Sequence, residues 1–365
     1  MAMVDPVDPL SGEFRAAVGG AIAEFLDERS RGLSELGEDL EPVMELARAF
    51  TTGGKRLRPA FCCWGYVAAT GTTEVPTSVI AAAASLDLLH VAALMHDDVM
   101  DASQTRRGMP AAHVQFARRH AAEQRRGSAA DYGRASAILL GDLLLVWSAQ
   151  MLAESGAPNL AAAASLAALV REEVNAGQVL DTAAQTRSPL EAHSDLTSTL
   201  AQIQRVVEYK TARYTVIRPL QIGAALGGGS PELLDALAAF GSPLGRAFQY
   251  RDDLLGVFGD ETLTGKPSGD DLREGKLTVL VARAMAGLDQ AAAEALDTLL
   301  GRPLGDAEVE RAQQLLIASG AVTAVEADIA ELATQARTVV NDHIEYSPAR
   351  QGLNELVRLT CDRST

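Results

Sequence analysis

Apolar positions recur along this chain at helical spacing, in long blocks separated by short polar, glycine- or proline-bearing punctuation. The blocks predict helices from about Gly12 to Arg31, Leu40 to Thr51, Pro59 to Ala69, Pro76 to Met100, Pro110 to Gln124, Tyr132 to Glu154 and Asn159 to Thr182. Further ones are expected from about Asp195 to Tyr214, Ile217 to Leu226, Pro231 to Gly259 and Lys276 to Ala286, with four shorter ones to the end. No hairpin signal and no repeat of solenoid length stands out. The polar stretches are too short to be domain linkers. The pattern therefore predicts an all-α chain with one large helical domain over residues 13–365 and a disordered segment over residues 1–12.

Composition sharpens this picture. Hydrophobic residues make up 47% and aromatic residues only 4%, with alanine runs, which points to helices packed on helices. A net charge of −16 argues against a nucleic-acid surface, so any anionic ligand must be held by local basic groups. Cys62, Cys63 and Cys361 form neither a disulfide framework nor a zinc spacing, and a cytoplasmic location is expected. The most apolar stretch, Val79 to Met95, contains Asp87 and His90, so no membrane span is expected.

Two aspartate clusters carry the chemistry. Asp97-Asp98-Val99-Met100-Asp101 is followed by Arg106-Arg107-Gly108, and Asp252-Asp253 by Thr264-Gly265-Lys266-Pro267. Carboxylates set in an apolar helix are costly to bury unless matched, and hard divalent cations match them well. Mg²⁺ prefers a few carboxylates plus substrate phosphates, and the neighbouring Arg and Lys residues suit a polyphosphate. Asp97 and Asp101, four apart, lie on one helix face. Gly53-Gly54 closes one helix and Pro59 opens the next, which leaves Lys55, Arg56 and Arg58 on the connection. Taken singly, one acidic cluster fits a solvated helix end, His90 a core histidine and Lys210 a solvated helix residue. Their order along the chain favours a site.

That ordered series resembles the trans-isoprenyl diphosphate synthases, the polyprenyl synthetase family, from Gly53-Gly54-Lys55-Arg56-Leu57-Arg58-Pro59 to Gly275-Lys276. His96-Asp97-Asp98-Val99-Met100-Asp101 with Thr105-Arg106-Arg107-Gly108 is similar to the family's first aspartate-rich motif, and Gly245 through Asp253 to its second. The resemblance implies a helical bundle around a central catalytic cavity, a homodimer, and Mg²⁺ as cofactor, three ions once substrate is bound. It implies that Mg²⁺ on Asp97, Asp101 and Asp252 polarises an allylic diphosphate as leaving group. Isopentenyl diphosphate attacks the resulting cation, and a proton passes to the departing diphosphate. Lys55, Arg58, His90 and Arg107 match the residues that hold isopentenyl diphosphate. Arg106, Lys210, Thr211, Gln249 and Lys266 match contacts to the allylic diphosphate, and Lys276 a basic residue near the metals. The catalytic set so implied is Asp97, Asp101, Arg106, Lys210, Asp252 and Lys266.

One departure stands out: the second motif of the family ends in a third aspartate, whereas position 256 is Gly. An active enzyme is still expected. Ala92 and Ala93, with Leu89 and then Ser85 below them, match the floor beneath the growing chain. Their small size predicts geranylgeranyl diphosphate as main product, longer polyprenyl chains next and farnesyl diphosphate third. A terpene cyclase would lack the use made here of Lys55, Arg58 and Arg107. A non-catalytic regulatory subunit of a heteromeric synthase is the alternative that Gly256 keeps open.

Overall fold

Apolar periodicity becomes helix almost throughout. The computed structural model describes residues 2–259 and 268–361. In chain order the helices are α1 (Gly12–Ser34), α2 (Glu41–Thr51), α3 (Leu57–Thr70), α4 (Thr77–Met100), α5 (Ala112–Ala122), α6 (Ala129–Glu154), α7 (Leu160–Ala184), α8 (Glu191–Ser194) and α9 (Leu196–Val207). A π-helical segment (Glu208–Ile217) leads into α10 (Arg218–Leu226) and α11 (Pro231–Phe258). Then come α12 (Asp270–Glu274), α13 (Val279–Gly287), α14 (Gln290–Asp297), α15 (Asp306–Ala318), α16 (Ala321–His343) and α17 (Ser347–Cys361). The fold is all-α, as the apolar pattern predicts.

The described residues form two compact units where one domain was expected. The first comprises Met1–Ala167, Pro219–Leu234 and Glu345–Leu353, and the second Ala168–Arg218, Asp235–Ile344 and Asn354–Thr365. Each has its own buried core.

In the first unit α4 packs against α1, α3 and α6. Its buried residues, among them Val79, Ala83, Leu86, Leu88, Leu89, Ala92 and Met95, run all round the helix, the mark of a core helix with no solvent face. By length and composition α4 and α6 could each cross a membrane; the most apolar window of α4 is 72% buried within the protein and that of α6 44%. Glycines set the α3–α10 approach. A Cβ on Gly65 would overlap the Leu220 carbonyl, and one on Gly223 the Cys62 carbonyl, so backbone meets backbone where these helices cross.

Two short antiparallel pairs depart from the expected absence of strands. Residues 2–11 are ordered rather than disordered, because Ala2–Met3 (β1) pairs with Glu74–Val75 (β2), Val4 N–H donates to the Thr73 carbonyl at 3.1 Å, and the Val4 side chain is buried. The second pair joins Thr105–Arg106 (β3) to Met109–Pro110 (β4) through Arg107-Gly108. Both turn residues have positive φ, 54° and 73°, as the two-residue hairpin turn that matches strand twist demands.

In the second unit the expected α-helix over Asp195–Tyr214 gives way to π-helix after Val207. Conversely α11 runs unbroken through Pro243, with Phe240, Gly241 and Leu244 buried on either side of it. Packing there outweighs the lost helical hydrogen bond. The C-terminal region contains a 23-residue helix, α16, longer than the short helices expected there.

Because a side chain on Gly223 must displace a carbonyl rather than a flexible neighbour, Gly223→Ala is expected to destabilise the chain by roughly 1–3 kcal/mol or more. Urea denaturation measures this.

Candidate active site

In the first unit, Asp97 and Asp98 sit in the last turn of α4 and Asp101 caps it, with no basic residue in that turn. Unpaired carbonyls make a helix C-terminus electronegative, so three carboxylates there repel both one another and the helix dipole. Arg106 offsets this. From the β3–β4 hairpin its Nε donates to Asp98 Oδ1 at 2.8 Å, its Nη2 also reaches Asp98, and Asp97 Oδ2 lies 3.8 Å from Nη2. Asp98 is buried and spent on Arg106, whereas Asp97 and Asp101 are only half-buried. The i, i+4 pair is thus the one that presents carboxylates outward.

The basic connection before α3 is built with strain. Arg56 holds φ of 56° and Arg107 φ of 54°, both in the left-handed region that side chains rarely occupy. Arg56 buries its guanidinium in an ion pair with Asp87 of α4 and donates to the Thr51 carbonyl at 2.7 Å. Arg107 donates to the Phe50 carbonyl at 2.6 Å, at the end of α2. Burial, followed by the charges of Arg58, Arg107, Arg106 and Arg56, holds His90 well below the usual histidine range. His90 is therefore neutral at physiological pH, and the arginine charges that act on it include those of Arg58 and Arg107. Burial chiefly lowers Arg107 as well, against the opposing pull of Asp87. Concentrated cationic charge of this kind suits a multiply charged anion.

In the second unit the π segment is wedged between α7 and α11. A Cβ on Gly177 would overlap the Lys210 backbone, and one on Gly245 the Ala212 backbone. Glu173 of α7 fixes the segment further, accepting from Arg213 Nη1 at 2.5 Å and Arg218 Nε at 2.7 Å. A π-helical stretch is rare and concentrates at functional sites. Here it aims Lys210 and Thr211. Lys210 Nζ lies 2.6 Å from Asp181 Oδ2. Thr211 Oγ1 donates to Gln249 Oε1 at 2.6 Å, and Gln249 Nε2 donates to Asp253 Oδ1 at 2.8 Å.

Asp252 is half-buried near the end of α11, while Asp253 is buried. Burial pushes the Asp253 carboxyl up to about 8, with Asp271 and Asp252 adding repulsion and Gln249 and Lys276 opposing it. Lys276 Nζ is 3.5 Å from Asp271 Oδ1 and also pairs with Glu274. Lys266 falls outside the described residues. Asp181 and Asp271 escaped the sequence reading: a lone Asp in Gln178-Val179-Leu180-Asp181, and the second of Asp270-Asp271, carry no spacing signal. Arg119 and Arg125 pair with exposed Glu45, Glu123 and Asp39, consistent with surface roles.

Among the described residues no group of three or more His, Cys, Asp or Glu side chains is gathered as a metal cage. The donors available nonetheless fit Mg²⁺: they are hard carboxylate oxygens, few in number, crowded at helix C-termini where positive charge is wanted, and adjacent to Arg and Lys that can hold phosphate.

Comparison with known proteins accords with this geometry. The polyprenyl synthetase family model matches residues 41–316. The geranylgeranyl diphosphate synthase of Methanosarcina mazei is 35% identical over 272 residues, 72% of this chain and 75% of that protein. The nonaprenyl diphosphate synthase of Mycobacterium tuberculosis is 31% identical over 366 residues, 99% of this chain and 98% of that protein. A crystal structure of geranylgeranyl pyrophosphate synthase from Corynebacterium glutamicum, complexed with isoprenyl diphosphate and magnesium, superposes with a TM-score of 0.89 at 37% identity, covering 96% of this chain and 98% of that one. The chain belongs to the polyprenyl synthetase family. It is a trans-prenyltransferase, of a family that uses Mg²⁺.

The Asp253 shift has a consequence for stability. Folded Asp253 keeps its proton up to about 8 where an ordinary Asp releases it near 3.8, so its contribution is greatest below about 4 and is lost as pH rises through about 8. Without metal, the wild type should lose melting temperature relative to Asp253→Asn between pH 5 and 9. Parallel melting curves for the two would contradict the shift.

Proposed function

We propose that this chain condenses isopentenyl diphosphate with a dimethylallyl, geranyl or farnesyl diphosphate to give a trans-prenyl diphosphate, with geranylgeranyl diphosphate as the main product. The observation that carries this is the pairing, in each unit, of carboxylates at a helix C-terminus with Arg or Lys suited to a diphosphate. The relative solved with isoprenyl diphosphate and magnesium supports the same assignment.

Mg²⁺, three ions when substrate is bound, would supply the positive charge that makes diphosphate a good leaving group. Asp97 and Asp101 in the first unit and Asp252 in the second would hold it. Arg106, Lys210 and Lys266 take the allylic diphosphate oxygens and stabilise the charge that grows on them as the carbon–oxygen bond breaks, with Thr211, Gln249 and Lys276 fixing their surroundings. Lys55, Arg58 and Arg107 bind isopentenyl diphosphate. Neutral His90 donates a hydrogen bond to it without adding charge. The double bond of isopentenyl diphosphate then attacks the allylic cation, and the proton lost from the new adduct passes to the released diphosphate. No protein nucleophile takes part.

Product length is assigned to the chain's own residues, since its relatives include both geranylgeranyl and nonaprenyl synthases. Leu89 and Ala92 are buried in the first unit's core, whereas Ala93 is half-buried. Assembly as a homodimer is supported by α6, which exposes Leu139 and Val146 at 62% and 60%. Burying such residues against a second copy is more favourable than leaving them in water. A cytoplasmic location suits Cys62, Cys63 and Cys361, all buried thiols. In α4, the Asp87–Arg56 pair suits a core helix better than a membrane span.

Purified protein given Mg²⁺, isopentenyl diphosphate and each allylic diphosphate in turn is expected to elongate at least one, with C20 product dominant by chromatography. Failure with all three removes the proposal. Ala93→Phe should shift the dominant product to C15, and an unchanged spectrum would exclude Ala93 from the floor.

A further inference from the structure

The last turn of α4 is clamped from two sides, and only one clamp belongs to the site described above. Successive residues of an α-helix lie about 100° apart, so His96 and Asp98 point to nearly opposite faces. Asp97 and Asp101 fall about 100° and about 140° round from His96, between the two. Asp98 is gripped by Arg106 of the β3–β4 hairpin. His96 is gripped by α6.

The grip of α6 is a notch with a hydrogen bond beside it. Gly141 is buried, and the three atoms nearest to a Cβ built on it are Nε2, Cδ2 and Cε1 of the His96 ring, all close enough to overlap it. The ring occupies the space that a side chain at 141 would take. His96 Nε2 lies 3.1 Å from the Ile138 carbonyl. A carbonyl can only accept, so Nε2 carries the hydrogen and donates it. The same nitrogen lies 3.3 Å from Asp142 Oδ1, but the Asp142 side chain is 58% exposed, against 24% for His96. Water competes for that contact, which leaves the carbonyl bond the firmer of the two. Its acceptor is a main-chain atom well inside a 26-residue helix, which no rotamer change displaces.

A turn at a helix C-terminus has no following turn to hold it, and here carboxylates repel one another across it. Arg106 restrains the Asp98 side alone. With that clamp only, the turn can roll about its axis and carry Asp97 and Asp101 away from a common cation. The His96 ring, seated on α6, opposes the roll.

We propose that His96 is a positioning residue for the first acidic motif: its ring, seated in the Gly141 notch and bonded to the Ile138 carbonyl, sets the direction in which Asp97 and Asp101 present their carboxylates to Mg²⁺. The proposal rests on the Mg²⁺–diphosphate reading above, and adds to it a residue that acts through its neighbours.

The test reads two quantities from the full-length protein. One is the melting temperature without metal, which any packing role would change. The other is the Mg²⁺ concentration that half-saturates thermal stabilisation by methylene bisphosphonate, a non-hydrolysable diphosphate. His96→Phe, which fills the notch and cannot donate, should raise the Mg²⁺ midpoint about 10-fold, the lower end of what loss of a group supporting a metal ligand costs. His96→Asn, whose amide is too short to reach the place of Nε2, should do the same. His96→Gln, whose amide nitrogen reaches it, should hold the midpoint to within about threefold of wild type. Gly141→Ala, which expels the ring, should match His96→Phe. In a His96→Ala background it should add less than about twofold, because both changes then remove one contact. Melting temperatures that fall while the midpoints of His96→Phe and His96→Asn stay at the wild-type value overturn the proposal and leave the ring a packing role. A Gln variant no better than Asn overturns it too. If His96→Phe fails to fold by circular dichroism, the contrast between Gln and Asn decides. Wild-type protein that shows no Mg²⁺-dependent stabilisation by the bisphosphonate removes the proposed function and this proposal with it, a result distinct from wild-type binding that the variants leave unchanged.

Discussion

Carboxylates at the C-terminal ends of long helices are the constraint on which the rest of this site depends. Nothing in helix propensity favours Asp97, Asp98 and Asp101 at the end of α4 or Asp252 and Asp253 near the end of α11, because the helix dipole and mutual repulsion both oppose them. Each unit answers with a nearby cation: Arg106 on Asp98 in one, and in the other Lys276, whose charge partly offsets the repulsion on Asp253 while it pairs with Asp271. These pairs keep the apoprotein from carrying bare buried charge. They also keep cationic groups close at hand for an anionic substrate. An incoming metal–diphosphate brings both signs of charge, so carboxylate and cation can each exchange a partner without either being stranded.

Rigidity follows from close backbone contact. Lys210 and Thr211 are fixed because α7 and α11 approach the π segment at Gly177 and Gly245, where a single methyl group would intrude on main-chain atoms. The Thr211–Gln249–Asp253 chain then orients the Gln249 amide from both ends, since its oxygen accepts and its nitrogen donates. In the first unit the equivalent stiffness comes from two arginines in left-handed backbone conformations. Arg56 is locked by its buried pair with Asp87, and Arg107 by the Phe50 carbonyl. Such strain persists only where surrounding contacts over-determine it.

Much of this was legible from the chain. Helical spacing located α4 and α11 to within a residue or two, because long apolar periodicity is set by the core and outlasts local irregularity. The basic groups around His90 were legible because they lie in contiguous motifs. What escaped depends on three-dimensional packing. Ala2–Met3 orders only because it finds the edge offered by Glu74–Val75, and the Arg107-Gly108 turn looked like an ordinary loop because its strands are two residues long. The π segment has no periodic signature distinct from an α-helix. Division into two units was hidden because four of its five boundaries fall within helices and the fifth in a three-residue connection, rather than in long polar linkers.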